Sequence, residues 1–374
     1  MGYTQLADKP FDRLSDMLRV LPSMMQLESW RSVHGMVSQY IRSDKLRQAF
    51  TFEPLLVGGH PFRTTSVYLL IHWLERKWGV HFAMGGTGSI VSALVTLLRE
   101  IGVEVVLNEP VQELVVRNGA IRGIGFADGR VLPADRVVCN ADPSYVYSRM
   151  LPQGARPRHS NAAVNRVKQS MGLFVGYFGV DRTYPDIAHH TILLGARYKD
   201  LLDDIFVRKT LAKDFSLYLH APARTDPSLA PEGCESMYVL SPVPNLRAGV
   251  DWEREAPGYF DRILESIEHR LLPGLGASVK TRFHMTPVDF ERDLRSVDGA
   301  AFGPEPILTQ SAWFRYHNRS RDVRGLYFVG AGTHPGGGVP GVLSSAKVVE
   351  RLMREEHAVF AAPEMKSDTL LAAR

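Results

Sequence analysis

The hydrophobic pattern changes character several times along the chain, and each change predicts a different element. Between residues 10 and 50, apolar Leu14, Met17, Leu18 and Leu21, then Met24, Met25 and Leu27, recur near the 3.6-residue spacing of an amphipathic helix, with Pro22 expected to interrupt it. Such a face suits packing on a core. Its methionines and Trp30 also suit adaptable contacts with lipid. In HFAMGGTGSIVSALVTLLREIG a glycine turn opens a second helix, with Ile90, Leu94, Leu97 and Leu98 on one side. Short branched runs follow at 103–107, 111–116, 120–126 and 135–140, separated by NG, DG and LPAD. These read as strands and hairpins.

Further on the pattern is mixed. GLFVGYFGV at 172–180 reads as a buried strand, and SLYLH (216–220) and SMYVLSPV (236–243) alternate as strands do. YFDRILESIEHRLL (259–272) has the period of an amphipathic helix stopped by Pro273-Gly274. The tail gives a strand, a glycine turn and a helix over 342–356, and is expected to fray from about Ala361. The elements divide the chain into 1–80, 81–143, 144–318 and 319–374. The first is helical, the second is a helix followed by a small strand cluster, the third is mixed, and the fourth is a strand, a glycine turn and a helix.

Composition narrows the function by exclusion. With 45% hydrophobic and 22% charged residues and a net charge of +4, the chain looks like an ordinary globular protein with no nucleic-acid footprint. No segment has the ~18–20 consecutive apolar residues that span a bilayer. Cys139 and Cys234 are far apart and form no metal or redox motif. With no secretory signal at the start, a reducing cytosolic setting is expected.

The glycine turns carry the chemistry. Residues 336–341, GGGVPG, formally satisfy G-x-G-x-x-G, but no second strand with an acidic residue follows, so the dinucleotide fingerprint fails on context. A narrower reading survives. Gly330 and Gly332 end a strand and let a ligand approach the backbone, and Gly341 precedes a helix whose free N–H groups favour negative charge. Gly85, Gly86 and Gly88 pose the same question before the earlier helix. Together the two turns suggest one extended cofactor crossing a domain boundary. No nucleophile elbow, H-E-x-x-H, G-K-[ST] or paired-cysteine site is present. His189-His190 and His60 lack spacing-matched partners and read as structural. A redox cofactor can carry a reaction where side-chain constellations are missing.

Six blocks resemble the bacterial phytoene desaturases, FAD-dependent carotenoid desaturases of the amine-oxidase-like flavoprotein superfamily. They are WRSVHGMVSQYI, LRQAFTFEPLLVGGHPF, FAMGGTGSIVSALVTLL, KDFSLYLHAPARTDPSLAPEGC, LTQSAWFRYHNR and LYFVGAGTHPGGGVPGVLSSAK. The resemblance implies an α/β, mixed α+β FAD/NAD(P)-binding flavoprotein fold with a mixed-sheet substrate domain and a helical region. It implies that 1–80 is a helical substrate- or membrane-facing region, that 81–143 and 319–374 are two parts of one FAD-binding domain, and that 144–318 is a substrate-binding domain. The family's N-terminal βαβ unit is not found before Met1, so the chain is expected to be an N-terminally truncated form whose own FAD binding and activity that loss would weaken.

By the same resemblance, Gly85 and Gly86 form a turn near the flavin, the Val111 backbone meets the adenine, and Asp142 closes its subdomain beside FAD. Gly330, Ala331 and Gly332 lie near pyrophosphate and ribitol, and Pro340, Gly341 and Val342 begin the helix beneath the isoalloxazine. Asp16 and Arg19 match a carboxylate and an arginine at the reacting end, although their spacing equally suits a surface ion pair. The implied reaction is dehydrogenation of phytoene toward more conjugated carotenes such as neurosporene or lycopene. Its expected partners are carotene intermediates, the membrane lipid surface and an electron acceptor such as oxygen or quinone. The expected location is cytoplasmic, peripheral at the inner membrane face. A related desaturase, ketolase or isomerase on the same fold, and a non-catalytic lipid- or carotenoid-binding fragment, are the alternatives.

Overall fold

The computed structural model describes residues 7–361, with side chains described as far as residue 356. The fraying expected from about Ala361 concerns residues beyond that range. Between residues 14 and 100 the regular structure is mainly helical: α1 (Leu14–Gln26), α2 (Val33–Tyr40), α3 (Asp44–Thr51), α4 (Leu70–Trp78) and α5 (Thr87–Glu100). Pro22 does not interrupt α1, contrary to expectation. A proline inside a helix frees the carbonyl four residues back, and here that residue, Leu18, is exposed, so water can donate to its carbonyl in place of the missing amide. Ser32 starts α2 by accepting a hydrogen bond from the Gly35 amide at 3.0 Å.

Three of the four branched runs hold strands: β1 (Val111–Arg117) and β2 (Ala120–Phe126) form a hairpin, β3 (Val131–Pro133) extends it, and β4 (Val137–Cys139) lies within the last run. Asn118 and Gly119 turn the hairpin with φ of 52° and 69°, as a two-residue turn matched to strand twist requires. The run at 103–107 is not a strand. Val106 and Leu107 are exposed, and among the described residues no neighbour supplies the hydrogen bonds a strand needs.

A five-stranded sheet follows, built from β5 (Gly172–Val180), β6 (His190–Leu193), β7 (Leu217–His220), β8 (Glu235–Val243) and β9 (Val279–Met285) in the order β6-β7-β8-β5-β9. Its β5 residues Phe174 and Phe178 pack with Tyr259, Phe260, Ile263 and Ile267 of α6 (Trp252–Arg270). Burying such side chains stabilises by about 1.5–3 kcal/mol each. The helix α6 starts seven residues before the predicted run, because Asp251 caps it by accepting from the Arg254 amide and Pro257 is accommodated within it. Beside this apolar layer, the register His190–His220–Tyr238–Tyr177–Phe283 lines up one aromatic residue from every strand.

The chain then returns to its earlier half. Strand β10 (Leu326–Phe328) pairs in parallel with β4. Leu326 and Phe328 pack with Leu114 and Ile121 of the hairpin, while Tyr327 packs on Val348, Val349 and Leu352 of α7 (Val339–Ala361). Helix α7 begins three residues earlier than predicted, so Pro340 and Gly341 belong to its first turn. Proline is well suited there, since an amide at that position has no partner within the helix.

Candidate flavin site

Parallel pairing brings two sequence-distant turns side by side. Val137, Val138 and Cys139 pair with Leu326, Tyr327 and Phe328, and the Val329 amide continues the ladder to the Cys139 carbonyl at 3.0 Å. The segment Asn140–Pro143 and the turn Gly330–Gly332 therefore leave the two strands together. They touch so closely that only glycine fits. Gly330 has φ of 96°, and a Cβ on it would come within 2.2 Å of Asn140 Oδ1. A Cβ on Gly332 would come within 2.3 Å of Pro143 Cδ. The Gly330 amide also donates to Ser345 Oγ at 2.9 Å, which fixes the turn to α7.

Asp142 holds this junction from within. One carboxylate oxygen accepts from the Ser144 amide at 2.8 Å and the other from the Val297 amide at 3.1 Å. Burial pushes its pKa up, against the pull of these hydrogen bonds and of nearby Arg315. Arg315 is itself buried, and burial pushes its pKa down. Its guanidinium donates to the carbonyls of Ala331 (2.6 Å), Thr333 (3.2 Å) and Pro304 (3.3 Å). No carboxylate lies within ion-pair distance of it among the described residues. Arg315 thus braces the glycine loop through its backbone.

Beyond the brace the loop is bare. Gly336 and Gly338 have φ of 125° and 91°, and Val57, Tyr68, Phe302 and Arg315 stand about the glycine run. The first turn of α7 follows at once. Pro340 has no N–H and Val342 already donates to the Gly338 carbonyl at 2.9 Å, which leaves Val339 and Gly341 as its backbone donors. Arg315, Val57, Tyr68 and Phe302 were not singled out from the sequence. Arg315 and Val57 lie inside the conspicuous blocks LTQSAWFRYHNR and LLVGGHPF, but Tyr68 and Phe302 give no signal of their own.

The structure brings together Asp142, Gly330, Ala331, Gly332, Pro340, Gly341 and Val342. Val111 opens β1 and packs against the apolar cluster that contains Phe328. Gly85 and Gly86 turn into α5 with φ of 80° and 81°, and the Gly85 amide donates to Asp226 at 2.6 Å, tying this turn to the sheet region. Asp16 and Arg19 face each other on α1 at 3.9 Å, and Asp16 also accepts from the Arg13 amide at the helix start. Arg19 is 79% exposed. Their contacts are those of a helix cap and a surface pair.

These residues fit a flavin. A bare glycine backbone admits a flat ring or a pyrophosphate at contact distance, and the α7 terminus places amide donors and positive partial charge beside it. An extra Cβ along the loop would meet Val57 or Phe302 at 3.6–3.9 Å, so the space beside the glycines is bounded by apolar side chains.

The family of flavin-containing amine oxidoreductases matches residues 4–349. A lycopene-forming phytoene desaturase of Pseudescherichia vulneris is 49% identical over 95% of this chain and 72% of its own length. A neurosporene-forming phytoene desaturase of Rhodobacter capsulatus is 45% identical over 94% and 68%. Among solved structures, an oxidoreductase of Methanosarcina mazei aligns with TM-score 0.59 at 16% identity, covering 90% of this chain and 71% of that one. A putrescine oxidase redesigned in its cofactor binding aligns with TM-score 0.56 at 13% identity, covering 94% and 71%. These last two show the fold. The chain belongs to the flavin-containing amine oxidoreductases, and within them to the bacterial phytoene desaturases.

Proposed function

We propose that this chain carries out FAD-dependent desaturation of phytoene toward neurosporene or lycopene in carotenoid biosynthesis. The observation that carries the reading is 49% identity to a lycopene-forming phytoene desaturase across 95% of the chain. The glycine loop braced by Arg315 lies within that alignment's reach and supports it. When bound, FAD supplies the hydride acceptor for a dehydrogenation that side chains alone cannot perform. The chain's own residues orient and enclose. Arg315 fixes the loop carbonyls, Asp142 fixes the neighbouring turn, and the α7 terminus offers amides to negative charge on the ring.

A C40 hydrocarbon has no polar handle, so recognition rests on apolar enclosure, at about 25 cal/mol per Å² before ordering costs. Phe302, next to the glycine loop, belongs to the same apolar cluster as Tyr177 and Tyr238 of the sheet. We place the polyene along that wall. Asp16 and Arg19 keep a proposed place at its reacting end.

The remaining features of the setting are also proposals. Among the described residues no helix is long and apolar enough to cross a membrane. Leu14, Leu18, Leu21 and Met25 of α1 are nonetheless exposed, and Trp73 and Trp78 of α4 are exposed beside Lys77. Exposed leucine with tryptophan and lysine is the composition of a surface that rests on lipid. We therefore place the protein at the cytoplasmic face of the inner membrane, with oxygen or a quinone accepting the electrons.

The test is incubation of the chain with FAD and phytoene-loaded liposomes, with products separated by chromatography and identified by absorption. Coloured products with lengthened conjugation are expected. Retained flavin with phytoene left unconverted would overturn the reading.

A further inference from the structure

The histidines that looked isolated in the sequence meet in the fold. Residues His190 of β6 and His220 of β7 are register partners, and His189 lies one residue before β6. One nitrogen from each ring lies within 4.8 Å of the others. His189 Nε2 and His220 Nε2 are 2.7 Å apart, close enough to share one proton. The second nitrogens of the two outer rings are held by hydroxyls: His189 Nδ1 by Thr225 at 2.5 Å and His190 Nδ1 by Tyr218 at 2.7 Å. His220 is 8% exposed, and its Nδ1 has no hydrogen-bond partner.

We propose that His189, His190 and His220 form a site for a divalent transition metal of the zinc class, distinct from the flavin site and independent of the desaturation reading. The donor set is right for such an ion: three imidazoles with a fourth position left for water or another ligand. Zn–N bonds of about 2.0–2.1 Å in a tetrahedron set the nitrogens roughly 3.3 Å apart. The close pair must open by about 0.6 Å and the third ring must draw in, movements that side-chain rotations at a strand end supply. An ion would take the place of the shared proton, which passes to His189 Nδ1, where the Thr225 hydroxyl oxygen can accept it. Thr225 and Tyr218 already orient two rings through their far nitrogens, as outer partners of metal-bound histidines do.

Charge state agrees with geometry. Burial, then His189 and His190, pushes His220 down to about 4, and burial lowers His189 and His190 as well. Lowered basicity reduces the competition of protons with an ion for these nitrogens. The site's position suggests what it fastens. Phe82 packs on His189 at 4.6 Å and on His220 at 5.9 Å between ring centroids, and Gly85 is bound by Asp226 just beyond. A bound ion would clamp edge strand β6 to β7 and stiffen the seat of the segment leading into α5.

The test uses the purified full chain, stripped with a chelator and titrated with Co²⁺, then with Zn²⁺ as competitor. A His189→Ala/His190→Ala double variant removes two ligands that are not deeply buried, and His81→Ala serves as control. We expect about one equivalent of Co²⁺ with the visible absorption of a tetrahedral nitrogen site, its displacement by Zn²⁺, and a zinc-dependent rise in the melting temperature. The double variant should bind more than about 100-fold more weakly and lose the melting shift, with His81→Ala unchanged. Absence of saturable binding, or equal binding by the double variant, would overturn the proposal.

Discussion

Replacing Arg315 separates the brace from everything else the flavin loop does. Its guanidinium holds the carbonyls of Ala331, Thr333 and Pro304, and among the described residues no carboxylate is within ion-pair distance of it. Arg315→Met keeps the apolar bulk and removes every donor. Three carbonyls, two of them buried, then lose a partner, at about 1–3 kcal/mol each, while relief from burying a cation offsets part of the loss. The net expectation is a destabilisation of about 3–5 kcal/mol, a large share of the ~5–15 kcal/mol typical of a folded protein. Arg315→Lys keeps the charge, but an ammonium cannot span three carbonyls in a plane, so about 2–3 kcal/mol should be lost. Urea unfolding gives the stability change, and flavin retained after desalting reports the loop. Both variants should lose flavin, Met more than Lys. If Arg315→Met unfolds within about 1 kcal/mol of the parent chain and keeps its flavin, the bracing argument is wrong.

Other expectations follow from single contacts. Gly332→Ala would drive a methyl into Pro143 and part the two turns, so flavin retention should fall even where the sheet region still folds, as read by absorbance against circular dichroism. Glu75 sits beside Glu53 and His72, and partial desolvation with the neighbouring Glu53 raises it from 4.5 to about 6. The folded chain holds that proton more tightly, so its contribution is full below pH 4.5 and is lost as pH rises through about 6. Glu75→Gln should flatten melting temperature against pH across that window. His60 is buried against Asp203, and burial lowers it from 6.5 to about 4. Stability from this group is present above pH 6.5 and lost as pH falls toward 4, a slope that His60→Gln should remove from the same melting curves. Asp16→Asn should weaken α1 by about 0.5–1 kcal/mol in urea unfolding, and a place at the reacting end predicts a fall of about tenfold or more in product formed per flavin. Unchanged product per flavin would remove the Asp16 carboxylate from the chemistry.

Local chemistry made much of this legible before any coordinates. The strand at 172–180 and the Asn118-Gly119 hairpin are readable because a short apolar run rich in aromatic and branched residues, and turn residues, are properties of neighbours in sequence. The same holds for the glycine loop, whose excess of glycine has no other economical cause. Arg315 was invisible as a brace because its partners are carbonyls, which leave no mark on residue identity. The trio His189, His190 and His220 escaped for a related reason, since strand register, not spacing, brings His220 across from His190. Residues 103–107 misled in the opposite direction. Branched residues state a preference for extended backbone, and only a neighbouring strand converts that preference into a sheet.

The five-stranded sheet has one further consequence, which lies in where the chain enters and leaves it. Strands β5 and β9 open and close this region, and they are antiparallel neighbours with Val175 opposite Met285. The whole sheet and α6 therefore hang from the rest of the molecule like a cassette, with both ends at one place. The paired strands β4 and β10 lie outside that interval. Such an arrangement lets the wall proposed for the hydrocarbon be reshaped while the strands beside the glycine loop stay in register. On that proposal, differences in how far desaturation proceeds arise within the cassette without disturbing the glycine loop.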